Sequence, residues 1–318
     1  MVSCLMGDST ALASAIVRCC LKYVSFSLLS FCATYLTLSV YLKIARVFPR
    51  RTKATPDDPL AFTGPPPRGG LLDIEEVHVS VAFTYDMEKA CQLAEQWMKL
   101  GVPVHMGGPA FNMPGGDFVP GMYLKKGYVI TSRGCPNRCW FCSVPRREGG
   151  RLRELPITEG NIVLDNNLLA CSRQHIEAVF EILGRQKERP TFTGGLEARL
   201  LRSWHVDLLR ESRTQRMYFA YDTPDDYEPL VEAGRLLQAG GFERKSHKAC
   251  CYVLIGYRGD TMEAAEKRLR DAWEAGFIPY AMVYRDEKGI VDSEWRKFQR
   301  LWVRPAIVMS QLKESGRR

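Results

Sequence analysis

Three cysteines within eight residues constrain this chain more than any other feature. They are Cys135, Cys139 and Cys142, in the stretch Gly127–Pro145, GYVITSRGCPNRCWFCSVP. The apolar run Tyr128-Val129-Ile130-Thr131 ahead of them reads as a buried strand, so the thiols sit on the loop that ends it. Three thiolates on one short loop can converge on a soft metal centre, and a [4Fe–4S] cluster is the commonest object for cysteines so clustered. No fourth cysteine stands nearby. A cluster held by three cysteines keeps one iron open for a small-molecule ligand. The same spacing is also three-quarters of a structural zinc site, which four ligands usually close. Candidate fourth ligands are Cys171, Cys250, Cys251 and the five histidines, none at finger-like spacing.

The pattern Cys135-x3-Cys139-x-Phe141-Cys142 resembles the signature of the radical S-adenosylmethionine (SAM) enzymes, with an aromatic residue just before the third cysteine. The surrounding RGCPNRCWFCSVPRREG is similar to the branch that includes cobalamin-dependent radical SAM proteins and methylthiotransferases, and supporting pattern extends to about Tyr284. The resemblance implies a cluster on the three cysteines, with SAM chelating the open iron through its amino and carboxylate groups. It implies that one electron, from a donor such as a flavodoxin or ferredoxin, cleaves SAM to methionine and a 5′-deoxyadenosyl radical. That radical takes a hydrogen atom from a substrate that the sequence does not name. The rival expectation is a non-catalytic metal-binding scaffold, zinc or Fe–S, tethered to a membrane.

Composition narrows the setting. The chain has 318 residues, 46% hydrophobic, enough for one large core or one core with an appendage. Eleven cysteines is an odd number, and the clustered ones need to be reduced, so a cytoplasmic setting fits better than a disulfide framework. Residues 1–53 hold seven Lys/Arg against Asp8 and contribute +6 of the net +8, leaving +2 for residues 54–318. That near balance gives no nucleic-acid footprint.

Tyr23 to Leu42 passes twenty residues without a charge, just long enough for a transmembrane helix, although six are Ser or Thr. The basic residues beyond it would keep the rest of the chain on the cytoplasmic face. A buried hairpin, or a stretch preceding the natural start, are the competing readings. Pro49 to Gly70 carries six prolines and reads as a linker. The expected division is therefore an N-terminal segment 1–53, a linker 54–72, a small unit 73–124 and a core 125–318.

In the small unit, Val77–Val81 reads as a strand and Met87–Leu100 as a helix with Ala90, Leu93, Ala94 and Trp97 on one face; Val102–His105 is a second strand. This β-α-β element resembles the last part of the Rossmann-like cobalamin-binding domain found before radical SAM barrels. That domain's D-x-H-x-x-G motif is absent, so cobalamin is not expected, and His78 and His105 read as ordinary core or edge residues.

From Tyr128 onward, strands and helices alternate, which argues for an α/β fold with a parallel sheet. The strands are read at Tyr128–Thr131, Asn161–Leu164, Thr191–Thr193, Met217–Tyr221, Ala249–Ile255 and Tyr280–Val283. The helices are Gln174–Gln186, Ala198–Glu211, Tyr227–Ala239, Thr261–Ala275 and Ser293–Trp302. Arg146–Gly160 is polar and broken by Gly149-Gly150, so the first helix is short or missing. Six strands match the partial (β/α)6 barrel of the resembled family.

In such folds chemistry sits at the carboxyl ends of strands. Strand one gives the cysteines and Phe141. Strand two gives Asp165, Asn166 and Asn167, where the family has a Gly-Gly-Glu that holds the methionyl ammonium of SAM; a carboxylate and two amides offer equivalent acceptors. Strand three gives Gly194, Gly195 and Glu197, the glycines allowing close backbone approach or a tight turn. Strand four gives Asp222, a partner for ribose hydroxyls or a helix N-cap. Strand five gives Ile255 and Gly256, similar to the family's adenine-contacting region. Strand six gives Tyr284, Arg285 and Asp286, polar enough to reach substrate. Arg133, Arg138, Arg146 and Arg147 crowd the cysteine loop, to meet an anionic group or simply as solvated surface.

Overall fold

The computed structural model describes residues 43–68, 73–113, 117–285, 289–304, 307–309 and 312. The candidate membrane segment Tyr23–Leu42 lies outside them, as does Asp286. Among the described residues no helix is long and apolar enough to cross a membrane. The chain is a mixed α/β protein built on two parallel sheets.

The first sheet has four strands, β1 (Ile44–Val47), β2 (Ala61–Phe62), β3 (Glu76–Ser80) and β4 (Val104–Gly107), in the order β2-β1-β3-β4. Helix α1 (Met87–Met98) connects β3 to β4. Its 3.6-residue apolar repeat buries Ala90, Leu93, Ala94 and Trp97 in one cluster with Ala45, Val47, Val77 and Val79. The face read from sequence is the face that packs. The boundaries are not as expected. β1 lies within the segment assigned to the N-terminal region, and β2 within the assigned linker. The proline-rich stretch forms the β1–β2 connection, with Phe48 N–H bonded to the Phe62 carbonyl (2.9 Å) and Trp97 Nε1 to that of Gly64 (2.9 Å).

Arg46 explains why β1 escapes a hydropathy reading. It interrupts the apolar run Ile44-Ala45-Arg46-Val47, yet it is only 6% exposed. Its guanidinium donates to the carbonyls of Gly121 (2.9 Å) and Met122 (3.2 Å) and pairs with Asp58. A buried cation is tolerated when it is paired and hydrogen-bonded in this way.

The second sheet contains β5 (Tyr128–Val129), β8 (Ile162–Val163), β9 (Thr191–Phe192), β10 (Arg216–Ala220), β11 (Ala249–Ile255) and β12 (Ile278–Val283). All are parallel and lie in sequential order from β5 to β12. The connections carry α3 (Arg173–Arg185), α4 (Ser203–Glu211), α5 (Tyr227–Ala239) and α6 (Met262–Glu274), with α7 (Ser293–Leu301) after β12. The first crossover holds only the short helix α2 (Val144–Glu148) and an antiparallel pair, β6 (Ser132–Arg133) with β7 (Arg153–Glu154). One large core joins Met217, Phe219, Cys251, Val253 and Ile255 to the stripes Ile176, Val179, Phe180 and Leu183 of α3 and Leu230, Ala233 and Leu237 of α5. Each such side chain contributes roughly 1.5–3 kcal/mol on burial.

Two boundaries move for visible reasons. The helix expected from Ala198 begins at Ser203 after a single tight turn at Ala198–Leu200, because Leu201 and Arg202 are extended and the Arg202 N–H donates to His205 Nδ1 (3.0 Å). β12 begins at Ile278, with Pro279 inside it opposite Cys251. Since β12 is an edge strand, proline's missing N–H costs no ladder bond on its open side.

Candidate functional site

The cysteine loop hangs from a two-residue edge strand, and buried carboxylates hold it in place. Asp165, at the end of β8 and 2% exposed, accepts from Thr131 N–H (2.7 Å), Thr131 Oγ1 (2.6 Å) and Ser132 Oγ (2.6 Å). Burial pushes its carboxyl upward, against the pull of these three donors. Asp165 thus fastens Thr131 and Ser132, beyond β5, to the end of β8. The second anchor, Glu148, was not singled out by sequence reasoning. Its side chain, 4% exposed, accepts from Gly134 N–H (3.0 Å) and Asn166 Nδ2 (2.7 Å) and lies 3.4 Å from both Arg133 and Arg147. A lone acid among arginines reads as solvated surface, so no sequence signal marks it. Gly134 itself sits at φ +83°, and a Cβ there would come within 2.3 Å of the Arg151 carbonyl.

Cys135 and Cys142 are half-buried and Cys139 is exposed; the Cys142 N–H closes a turn onto the Cys139 carbonyl (3.0 Å). Although Cys139 is open to solvent on one side, the protein packed around it is the main reason its thiol is pushed up to about 11, with Cys142 and Cys135 adding to the effect. Burial also raises Cys142, opposed by the Val144 N–H and by Arg147. Cys139 and Cys142 therefore hold their protons at neutral pH until a cation displaces them, which is the usual coupling between metal binding and proton release.

Beside them, Asn167 is 3% exposed; its Nδ2 donates to Glu197 (2.6 Å) and lies 3.7 Å from Cys135 Sγ. Its Oδ1 is buried without a hydrogen-bond partner. Glu197 also accepts from Asn137 (2.9 Å), so residues after β5, β8 and β9 form one polar group. Gly194 makes this approach possible: a Cβ would meet the Asp165 carbonyl at 2.1 Å. Gly195 comes next at φ +101°.

The remaining expected residues lie after the later strands. Asp222 Oδ1 accepts from Leu254 N–H (2.9 Å), tying β10 to β11. Burial pushes its carboxyl up to about 6, with the Asp226 charge adding and Leu254 N–H and Arg268 opposing. The Ile255 side chain is fully buried in the core. The Gly256 N–H is taken by Asp260 Oδ2 (2.8 Å). Phe141 is half-buried, edge-on to Trp140 at 5.4 Å. Trp140, unremarked in the sequence, is 61% exposed and reaches Tyr257 (5.4 Å) and Tyr284 (5.9 Å). The loop of the first edge strand thereby touches the loops after β11 and β12. Arg285 stacks on Tyr85 of the first unit (5.2 Å).

The structure thus brings together Cys135, Cys139, Cys142, Phe141, Asn166, Asn167, Gly194 and Glu197, and adds Glu148. Among the described residues, no group of three or more His, Cys, Asp or Glu side chains is set to enclose a single metal ion. A cavity of about 340 Å³ lies elsewhere, lined by Leu237, Phe242, Arg244 and Gly276 among others. His78 and His105 pair across β3 and β4 and flank Glu76 at 3.2 and 3.5 Å. Cys171, Cys250 and Cys251 are buried, as expected of small hydrophobes. No family model matches this chain, and no curated protein matches it.

Proposed function

We propose that the chain is a radical SAM enzyme, its second sheet the wall of a partial (β/α)6 barrel with the reaction at the mouth. The observation that carries this reading is the conjunction of three thiols and a buried, partnerless acceptor, Asn167 Oδ1, at the carboxyl ends of sequential parallel strands. The donor set fits a [4Fe–4S] cluster: three soft sulfur ligands on one loop, which bind as thiolates and give up their protons to the metal. Cys135, Cys139 and Cys142 would hold it. An unpaired buried carbonyl costs about 1–3 kcal/mol, and an ammonium such as that of SAM would satisfy Asn167 Oδ1, with Glu197 beside it supplying negative charge. When bound, cluster and SAM together supply a 5′-deoxyadenosyl radical for hydrogen abstraction.

The chain's own residues position and protect this chemistry. Asp165 and Glu148 hold the loop, and Trp140, Phe141, Tyr257 and Tyr284 form an aromatic wall that excludes water from one side. The exposed Arg138 offers a basic surface to an acidic electron donor such as a flavodoxin or ferredoxin. Thiols that must stay reduced fit a cytoplasmic setting. Cobalamin has no recognisable ligand here.

The test uses the full chain, reconstituted with iron and sulfide without oxygen, reduced, and assayed with SAM for 5′-deoxyadenosine. We expect its formation, with a change in the cluster's EPR signal on adding SAM, and loss of both in Cys135→Ala. A protein that takes up zinc and shows no Fe–S signal would instead be a metal-binding scaffold.

A further inference from the structure

The strands β10, β11 and β12 have two unlike faces. On one, Met217, Phe219, Cys251, Val253, Ile255 and Ala281 are completely buried. On the other, Tyr218, Tyr252, Leu254 and Tyr280 are only half-buried, Arg216 and Ala220 are exposed, and Met282 is 41% exposed. Alternation along a strand puts these open residues on a single surface.

That surface is aromatic in its middle and cationic at its amino-terminal end. Tyr218 and Tyr252 stack with ring centres 4.4 Å apart and planes 8° from parallel. Tyr280 stands edge-on to both, at 6.4 and 5.6 Å. Arg216 lies close enough to Tyr218 for its charge to favour the ionised phenol, against the larger opposing effect of burial. Among the described residues, no ion pair joins Arg216 to a carboxylate. Burial raises the Tyr218 and Tyr252 phenols, which therefore stay protonated and able to donate. A guanidinium with spare N–H groups beside phenolic donors is a receptor for a carboxylate.

We propose that this face binds an elongated aromatic carboxylate, with its acid group on Arg216 and its ring system along Tyr218, Tyr252 and Tyr280. Ala220 lies four residue steps along the strand from Arg216, about 13 Å at roughly 3.3 Å per residue. The opposite end of the ligand therefore emerges at the carboxyl ends of the strands. On the reading given under Proposed function, on which this assignment of substrate class rests, that end carries the carbon that loses hydrogen.

The test titrates the full-length protein with biphenyl-4-carboxylate and, in parallel, with its neutral isostere biphenyl-4-carboxamide, by calorimetry. The carboxylate should bind at least about tenfold tighter than the amide, the range of a charge-assisted hydrogen-bonded pair. Arg216→Gln should abolish that preference while leaving the thermal melt unchanged; Arg216→Lys, which keeps the charge, should retain part of it. Equal binding of the two probes, no binding, or an undiminished preference in Arg216→Gln would overturn the proposal. The titration needs neither cluster nor SAM. Its failure alongside 5′-deoxyadenosine formation would remove the carboxylate site alone, and its success without SAM cleavage would remove the reaction alone.

Discussion

The two parallel sheets put their polar side chains to opposite uses. In the four-stranded sheet the polar side chains close on one another: Arg46 on Asp58, Arg50 on Asp86, His78 and His105 on Glu76. In the six-stranded sheet the carboxyl ends leave groups open: the Asn167 carbonyl without a donor, three free cysteines on one loop, and Trp140 largely in solvent. Residue type alone does not separate the two regions, since both carry arginines, acids and aromatics. What separates them is where the open groups stand: Arg46 keeps one buried Nε without a partner but pairs with Asp58, whereas Asn167 Oδ1 is partnerless beside the cysteine thiols at the carboxyl ends of the strands. An acceptor held open beside such thiols is set for another molecule.

This contrast can be broken by mutation, and the largest effect should come from the site's hidden anchor. Glu148→Ala strips the acceptor from Gly134 N–H and Asn166 beside two half-buried guanidiniums. We expect a loss of about 3–5 kcal/mol in denaturant unfolding, together with failure of the loop to hold iron and sulfide. If stability falls while iron uptake is unchanged, Glu148 is scaffold like the residues of the first sheet.

Next comes Asp222, whose carboxyl in the folded protein titrates at about 6 against an ordinary 3.8. A raised carboxyl favours the folded state while protonated, so its stabilisation is complete below pH 4 and lost as pH rises through 6. Asp222→Asn keeps the Oδ1 that accepts from Leu254 and removes the titration. Melts across pH 4–8 should show the variant gaining on the native protein by up to about 3 kcal/mol at the alkaline end. Parallel curves would mean that Asp222 is solvated.

The smallest effect should belong to the first sheet. Arg46→Leu deprives two carbonyls of their donor, while Asp58, half exposed, returns to water; about 1–3 kcal/mol should be lost. Iron content and SAM response should not move. A variant that also loses its cluster would show that the two sheets are functionally joined.

Much of this architecture was legible in the sequence wherever periodicity and packing agree. Tyr227–Ala239 and Ala249–Ile255 are observed as read, because a clean apolar stripe and an unbroken seven-residue run without a charge each admit one solution. β1 was hidden because a buried arginine inside a four-residue strand looks like the start of a basic surface segment. At the site, the three cysteines and the position of Asn167 were readable from spacing and strand ends. That Asp165 faces inward while Asn167 keeps an acceptor open was not, since the triplet Asp-Asn-Asn does not say which member turns toward Thr131. Glu148 was hidden for the same reason as Arg46: its partners are distant in space from anything its neighbours announce.

The edge strand β5 has a kinetic consequence. It joins the sheet through only two register pairs, Tyr128 with Ile162 and Val129 with Val163. The cysteine loop beyond it is fastened by the Asp165 and Glu148 side chains and by the two-residue antiparallel pair of β6 with β7, and not by a continuation of the parallel ladder. Such a segment can open as its own small cooperative unit at a free energy below that of global unfolding. The amides from Thr131 to Cys142 should then exchange with deuterium ahead of those in β10–β12. An inorganic centre could be inserted, or lost to oxidation, at the rate of that local breathing, with the large core behind it still folded.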